Sequence, residues 1–300
     1  MPSLKAIRTR IASVKNTQKI TRAYKMLAAA RLRKAQDAIV AARPYAARLR
    51  EVMADVTARL AADSDEPAHP LLARREPKAL RLILVTSDRG LAGGYNSNLS
   101  RRVERFLVDE KPRYERIELA IIGRKGREHF RRRLENKRVY GHVQIVAEYP
   151  GATSEAAHAR AQELATRATS DYLAGTIDAV MVVYNEFKTA ISQVVQIDPL
   201  LPIEPAELPP GEGRIDFEYE PSKGEVLSTL VPLYFEIELL RVLLEAVASE
   251  FGARMSAMDN ATKNAKELIG SLTLAFNRAR QAAITKELME IVGGAEALKG

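Results

Sequence analysis

Leu233-Tyr-Phe-Glu-Ile-Glu-Leu-Leu-Arg-Val-Leu-Leu-Glu-Ala-Val-Ala-Ser-Glu-Phe-Gly-Ala-Arg-Met-Ser-Ala-Met258, with the residues that follow to Leu298, decides how this chain folds. Small or apolar residues recur at Ile237, Leu240, Leu244, Val247, Phe251, Met255, Met258, Thr262, Ala265, Ile269, Leu272, Phe276, Ala279 and Ala283. The steps are three or four residues, the spacing that draws one seam along a helix for a partner helix. The double four-residue step Val247–Phe251–Met255 reads as a stutter that unwinds the supercoil locally. After Ala283 the seam shifts by one and is expected to continue through Ile284, Leu288, Ile291, Ala295 and Leu298. Pro232 is the natural start, and a helix from Leu233 to Val292 would run about 90 Å. Such a helix needs a companion along its length.

The companion lies at the other end of the chain. Leu4, Ile7, Ile11, Val14, Gln18, Thr21, Tyr24, Ala28, Leu32, Ala35, Ile39, Ala42, Leu49, Met53, Val56 and Leu60 follow the same rhythm, with Pro44 expected to kink or loosen one turn. Residues 1–34 carry ten Lys or Arg and no acidic residue, whereas residues 233–298 carry seven basic and nine acidic ones. Opposite charge and shared periodicity predict an antiparallel two-helix coiled coil formed by the two ends of the chain.

Composition sets the remaining limits. The 300 residues contain no Cys, which excludes disulfides, thiol nucleophiles and Cys zinc sites. The basic opening has no apolar core of a signal peptide, and no run of about 18 apolar residues could span a membrane. A soluble, cytoplasmic protein is expected. The net charge of +8 points to an acidic partner.

Between the helices the rhythm changes. Pro67, Pro70 and Pro77 mark a linker, and strand-length apolar runs follow at 79–86, 117–122, 177–184 and 192–197, with a less regular one at 139–148. Helical stretches at 97–110, 124–134 and 154–173 alternate with them, so a mainly parallel sheet covered on both faces is expected. The domain plan is therefore an N-terminal coiled-coil helix at 1–62, a linker at 63–78 and a Rossmann-like α/β domain at 79–212. A connector at 213–232 leads to the C-terminal coiled-coil helix at 233–300.

Site chemistry is sparse. The glycine-rich Ser87–Asn96 follows a strand, but it lacks the G-x-G-x-x-G fingerprint, and the chain has no Gly-Lys dipeptide for a Walker loop. A tight strand-to-helix turn is the better reading, and the same holds for Gly123-Arg-Lys-Gly126. His69, His129, His142 and His158 are scattered without metal-ligand spacing. No catalytic residue, cofactor or metal is expected. The cations at 124–138 read equally as a solvated face or a binding surface. A basic coiled-coil nucleic-acid binder is the alternative, although the basic helix has only Tyr24 and Tyr45 for stacking. A small α/β enzyme with helical arms is a third reading.

Several stretches closely resemble the gamma subunit of bacterial F-type ATP synthases. They are Ile7 to Ala23 with Met26-Leu-Ala-Ala-Ala30, the loop Thr86 to Asn96, Ser249 to Met258, and Asn277 to Gly294. The resemblance implies a central rotor shaft inside a ring of three alpha and three beta subunits, with the α/β domain at the foot against the epsilon subunit and the membrane c-ring. It implies no catalytic site in this chain, no nucleic acid, and a peripheral place on the cytoplasmic face of the inner membrane. By motif position, ring contacts are expected from Lys5, Arg8, Lys19, Arg22, Tyr24, Lys25 and Arg254. Arg280 and Gln281 would meet a beta-subunit catch loop, and Leu288, Met289, Ile291 and Val292 would turn in an apolar sleeve. Phe217, Tyr219 and Glu220 would contact the foot partners, epsilon and the c-ring. Two departures are Tyr24, where the family often has Met, and Ala92, where many members have Cys, so redox control is not expected.

Overall fold

The computed structural model describes residues 3–63, 69–203, 220 and 222–297. Two helices bracket the chain, α1 (Leu4–Asp63) and α6 (Lys223–Ala297). Between them lie β1 (Ala79–Val85), α2 (Tyr95–Asp109), β2 (Arg116–Ile122), α3 (Arg124–Arg133), α4 (Lys137–Tyr140), β3 (Val143–Tyr149), α5 (Ala157–Leu173), β4 (Ala179–Phe187) and β5 (Gln193–Leu201). None of the helices among the described residues is long and apolar enough to cross a membrane. The chain divides into two compact units, residues up to Ala28 with Met255 onward, and residues Ala29–Arg254.

In the first unit the helices run antiparallel. The Thr262 hydroxyl donates to Thr21 Oγ1 at 2.8 Å, and Lys25 Nζ meets Asp259 Oδ1 at 2.5 Å, so partner numbers fall as α1 advances. Ile7, Thr21 and Ala28 are buried on α1, and Met258 and Ala265 on α6. Two expectations are corrected here. Tyr24 is 41% exposed, and the seam step after Thr21 falls on Lys25 instead. A seam of Ala and Thr leaves no room for a phenol, whereas a lysine stem lies along it and carries its charge out to Asp259. On α6 the half-buried positions continue to Ala283, after which every described side chain through Gly294 is exposed. Ile284, Leu288 and Ile291 do not extend the seam, because α1, which starts at Leu4, does not reach them.

In the second unit the sheet order is β3-β2-β1-β4-β5. The first four strands are parallel, and β5 pairs antiparallel with β4 because the five residues 188–192 between them are too few for a crossover. β1 is buried on both faces, which is why it reads as an unbroken apolar run. Leu80, Leu82 and Leu84 face α2 and α3 over one core. Ile83 and Val85 face the other core, which holds α5, Met53 and Val56 of α1, and Leu227, Val231, Phe235 and Leu239 of α6.

α6 starts ten residues before the expected position. Ser222 Oγ accepts the Glu225 N–H at 3.3 Å, the serine half of a Ser-x-x-Glu cap, and Pro232 sits inside the helix. Pro44 likewise lies within α1 without ending it. Pro44 and Val40 are both exposed, so the carbonyl that Pro44 cannot bond lies on a solvent-facing side of the helix, where water can satisfy it. From Leu239 to Arg254, α6 is enclosed nearly all round, since α1, β4, β5 and two loops surround it.

Candidate functional site

A sheet of this order offers a ligand crevice outside the carboxyl ends of β1 and β4, where the chain reverses direction across the sheet. Here α6 occupies that place. Tyr95, the first residue of α2, is 4% exposed and donates its hydroxyl to the Ala246 carbonyl at 3.2 Å. Burial, reinforced by the Glu250 charge, pushes the phenol far above its ordinary range, so it remains a donor. Asn185 at the end of β4 donates to the Tyr95 carbonyl, and Ala92 and Tyr95 pack on Ala253. Opposite them, a Cβ on Gly252 would stand 3.1 Å from Phe187 Cε2 and 3.3 Å from Ala190 Cα, so the β4–β5 turn touches bare helix backbone. The glycine-rich loop is thus a clasp for a helix.

The second glycine motif is filled from within the chain as well. Gly123 has φ +96°, and a Cβ there would lie 2.3 Å from the Thr86 carbonyl oxygen. The N-terminal amides of α3, which could hold an anion, are taken. Asp88 Oδ1 accepts from Arg124 N–H at 2.9 Å, and Thr86 Oγ1 from Gly126 N–H at 2.9 Å. Among the described residues no group of three or more His, Asp or Glu has the arrangement to hold a metal.

The features left for function are surfaces. Lys5, Arg8, Lys19 and Arg22 are exposed along α1, as are Arg280 and Gln281 on α6. Leu288, Met289, Ile291 and Val292 are 57–68% exposed on the part of α6 that α1 does not reach, an apolar cluster on a bare helix. Glu220 is exposed, while Phe217 and Tyr219 lie outside the described residues. Lys25 is half-buried and spent on Asp259. Arg254 departs most from expectation. It is 8% exposed, pairs with Glu250 at 2.7 Å, lies over the Phe251 ring and reaches the Arg89 and Gly90 carbonyls at 3.4 Å. Its guanidinium holds the clasp loop to the helix within this chain.

The fold also gathers a polar cluster that the sequence expectations do not include. Glu238, Arg241 and Glu245 form one stripe of the enclosed part of α6, with Arg50 of α1 and Tyr184 and Asp198 of the sheet around them. Burial works to raise the Glu238 pKa, but Arg241 and Arg50 outweigh it and hold the carboxyl below its usual range. Burial prevails at Glu245, whose pKa is raised with help from Glu186 and Asp198 against Arg241, and its Oε2 has no partner. Charges three and seven residues apart inside an otherwise apolar run were the available signal. The cluster borders a cavity of ≈ 900 Å³ between α1 and α6.

Comparison with known proteins gives these surfaces a context. A family described as ATP synthase matches residues 3–298. The ATP synthase gamma chain of Anaeromyxobacter sp. (strain Fw109-5) is 54% identical over 303 residues, covering 100% of both chains. That of Geobacter metallireducens is 47% identical over 300 residues, again covering 100% of both. Among solved structures, a chain of the Euglena gracilis mitochondrial ATP synthase (OSCP/F1/c-ring, rotational state 3) superposes with TM-score 0.65 at 18% identity, covering 98% of this chain and 94% of that one. A chain of the Tetrahymena thermophila mitochondrial ATP synthase central stalk and c-ring gives TM-score 0.56 at 24% identity, covering 81% and 99%. At that identity the solved structures speak for the fold, and the curated relatives speak for the family. With full-length matches at this level, the chain belongs to the family of ATP synthase gamma chains.

Proposed function

We propose that this chain is the central rotor shaft of an F-type ATP synthase, turning with a c-ring and driving conformational change in a ring of alpha and beta subunits. In this reading it carries no catalytic site. It sits peripherally at the cytoplasmic face of the inner membrane, with the epsilon subunit and the c-ring at its foot.

The observation that carries the proposal is the bare end of α6. An exposed apolar helix tip, beyond the last residue that α1 covers, calls for an apolar sleeve, and a sleeve without directional bonds does not resist turning. Arg280 and Gln281, exposed just before it, supply hydrogen-bond donors to a surrounding loop. The exposed cations of α1 suit an acidic rim on the ring. A single helix pair has no threefold symmetry. Each of three equivalent subunits therefore meets a different face and is biased to a different nucleotide-bound state, and turning the pair exchanges the biases. The enclosed stretch Leu239–Arg254 supports the same reading, since a part that carries torque needs its α/β domain clasped to the helix.

The absence of Cys makes the test direct. The chain with Arg132→Cys, its sole thiol, is assembled with its alpha and beta subunits, the ring is fixed to a surface, and a bead is attached to the thiol. ATP should turn the bead in one direction. ATP hydrolysis by the assembled complex with a bead that does not turn would refute the rotor reading.

A further inference from the structure

Residues 101–138 carry fourteen Lys or Arg against seven Asp or Glu. This excess lies outside both long helices, on the α/β domain, and none of the contacts described above uses it. α2 and α3 lie on the same face of the sheet, joined where Glu104 of α2 takes His129 Nε2 and Arg133 Nε of α3, both at 2.6 Å. Their apolar sides are spent on the core, so their polar sides form the outer surface of the domain.

The ion-pair arrangement on this surface is uneven. Arg131 and Arg127 are matched to Glu148, and Arg124 and Lys125 to Glu128. Arg102 and Arg105 on α2, and Lys111 just after it, are exposed without a carboxylate partner among the described residues. So are Lys137 and Arg138 of α4, and Arg132, whose one bond among the described residues is to the Glu128 carbonyl. Against them, among the described residues, stand two exposed carboxylates of this stretch without a cation, Asp109 and Glu135. Lys111, Lys137 and Arg138 gather at the amino ends of β2 and β3. The clasp on α6 is at the carboxyl ends, so these cations occupy the opposite end of the sheet.

The chemistry of this face narrows its partner. The core of a protein interface is enriched in aromatic side chains, whereas Phe106, Tyr114, Phe130 and Tyr140 are all buried in the domain core, and Val108 is the one large apolar side chain exposed on α2. Single-stranded nucleic acid needs exposed rings for stacking, and those same rings are turned inward. What remains is a broad set of long cations that have no carboxylate partner among the described residues and no fixed register. That arrangement suits a fluid anionic surface, where each Lys or Arg adds attraction without demanding a defined geometry.

We propose that the outer face of α2, α3 and α4 binds the anionic headgroups of a phospholipid membrane. The binding is electrostatic and peripheral, weakens with salt, and is separate from the ring contacts of the two long helices.

The test uses the full chain and co-sedimentation with vesicles of phosphatidylcholine, with and without phosphatidylglycerol. The reversal Arg102→Glu/Arg105→Glu/Arg132→Glu/Arg138→Glu is compared with an equal reversal on α1, Arg10→Glu/Lys15→Glu/Arg33→Glu/Arg43→Glu. All eight side chains are exposed, and thermal melts check that both variants fold. The unaltered chain should bind the anionic vesicles, the α2–α4 variant should lose at least about tenfold, and the α1 variant should stay within about threefold. Undiminished binding by the α2–α4 variant, or an equal loss in the α1 variant, overturns the proposal. A single-stranded RNA or a DNA duplex that binds more tightly than the vesicles, and is lost in the α2–α4 variant, assigns the face to nucleic acid and overturns it equally.

Discussion

The Tyr95 hydroxyl donates to the Ala246 carbonyl at 3.2 Å across 151 residues of chain, joining the first turn of α2 to the enclosed part of α6. Tyr95→Phe removes that bond while keeping the ring among Ala92 and Ala253, so a loss of about 1 kcal/mol is expected. Tyr95→Ala empties the site and should cost about 3–5 kcal/mol. Urea unfolding of the two variants measures both. Equal losses would mean that the hydroxyl, and not the ring, holds the clasp.

Gly252 tests the other jaw. A helix interior favours Ala over Gly by about 1 kcal/mol, but here the added methyl meets Phe187 Cε2 at 3.1 Å and Ala190 Cα at 3.3 Å. Gly252→Ala should therefore come out near neutral, as the β4–β5 turn gives by a few tenths of an ångström. Gly252→Leu should cost about 1–3 kcal/mol by overpacking. A Leu variant as stable as the parent would show that the turn is not seated on the helix.

These two residues also show what could be read beforehand. The seam from Ile237 to Ala283 and the strand runs were legible, because periodicity survives in a single sequence and burial follows it. At Tyr24 the pattern is ambiguous, since a three-residue step to Tyr24 and a four-residue step to Lys25 fit the spacing equally, and only the narrowness of an Ala/Thr seam decides between them. The Ser222–Glu225 cap was present in the sequence, yet Pro232 inside the helix masked it. Arg254 and the stripe Glu238, Arg241 and Glu245 look like surface charges. Nothing local says that a sheet and two loops distant in the chain will close over them.

The two carboxyls of that stripe should respond to pH with opposite signs. The Glu238 pKa is held down, so its stabilisation is full above the ordinary carboxylate range and is lost as pH falls through its folded value. Glu238→Gln should therefore cost about 2 kcal/mol at neutral pH and nothing in acid. The Glu245 pKa is raised, so the fold loses stability as pH climbs from the ordinary range through the folded value. Glu245→Gln keeps an acceptor for Arg241 and removes the buried charge, so it should raise the thermal midpoint at neutral pH and match the parent in acid. Melts of both variants across acid and neutral pH decide it. Two variants shifting in the same direction at neutral pH would show that the stripe titrates as one unit.

The end of α6 makes the sharpest contrast between stability and function. Every described side chain from Ile284 to Gly294 is exposed, so nothing there repays its ordering except the helix itself, and a helical segment this short is marginal alone. In the free chain its amides should exchange hydrogen far faster than those of Val242–Ser249, which sit where α6 is enclosed. Leu288→Ser/Met289→Ser/Ile291→Ser/Val292→Ser should accordingly leave the unfolding midpoint of the free chain in place. If the tip turns in an apolar sleeve, the same variant should bind the alpha and beta ring at least several-fold more weakly, because only there do these side chains leave water. Tip amides as protected as Val242–Ser249 would mean that the tip is covered within the free chain. Unaltered ring binding by the Ser variant would leave the apolar tip without a role in assembly.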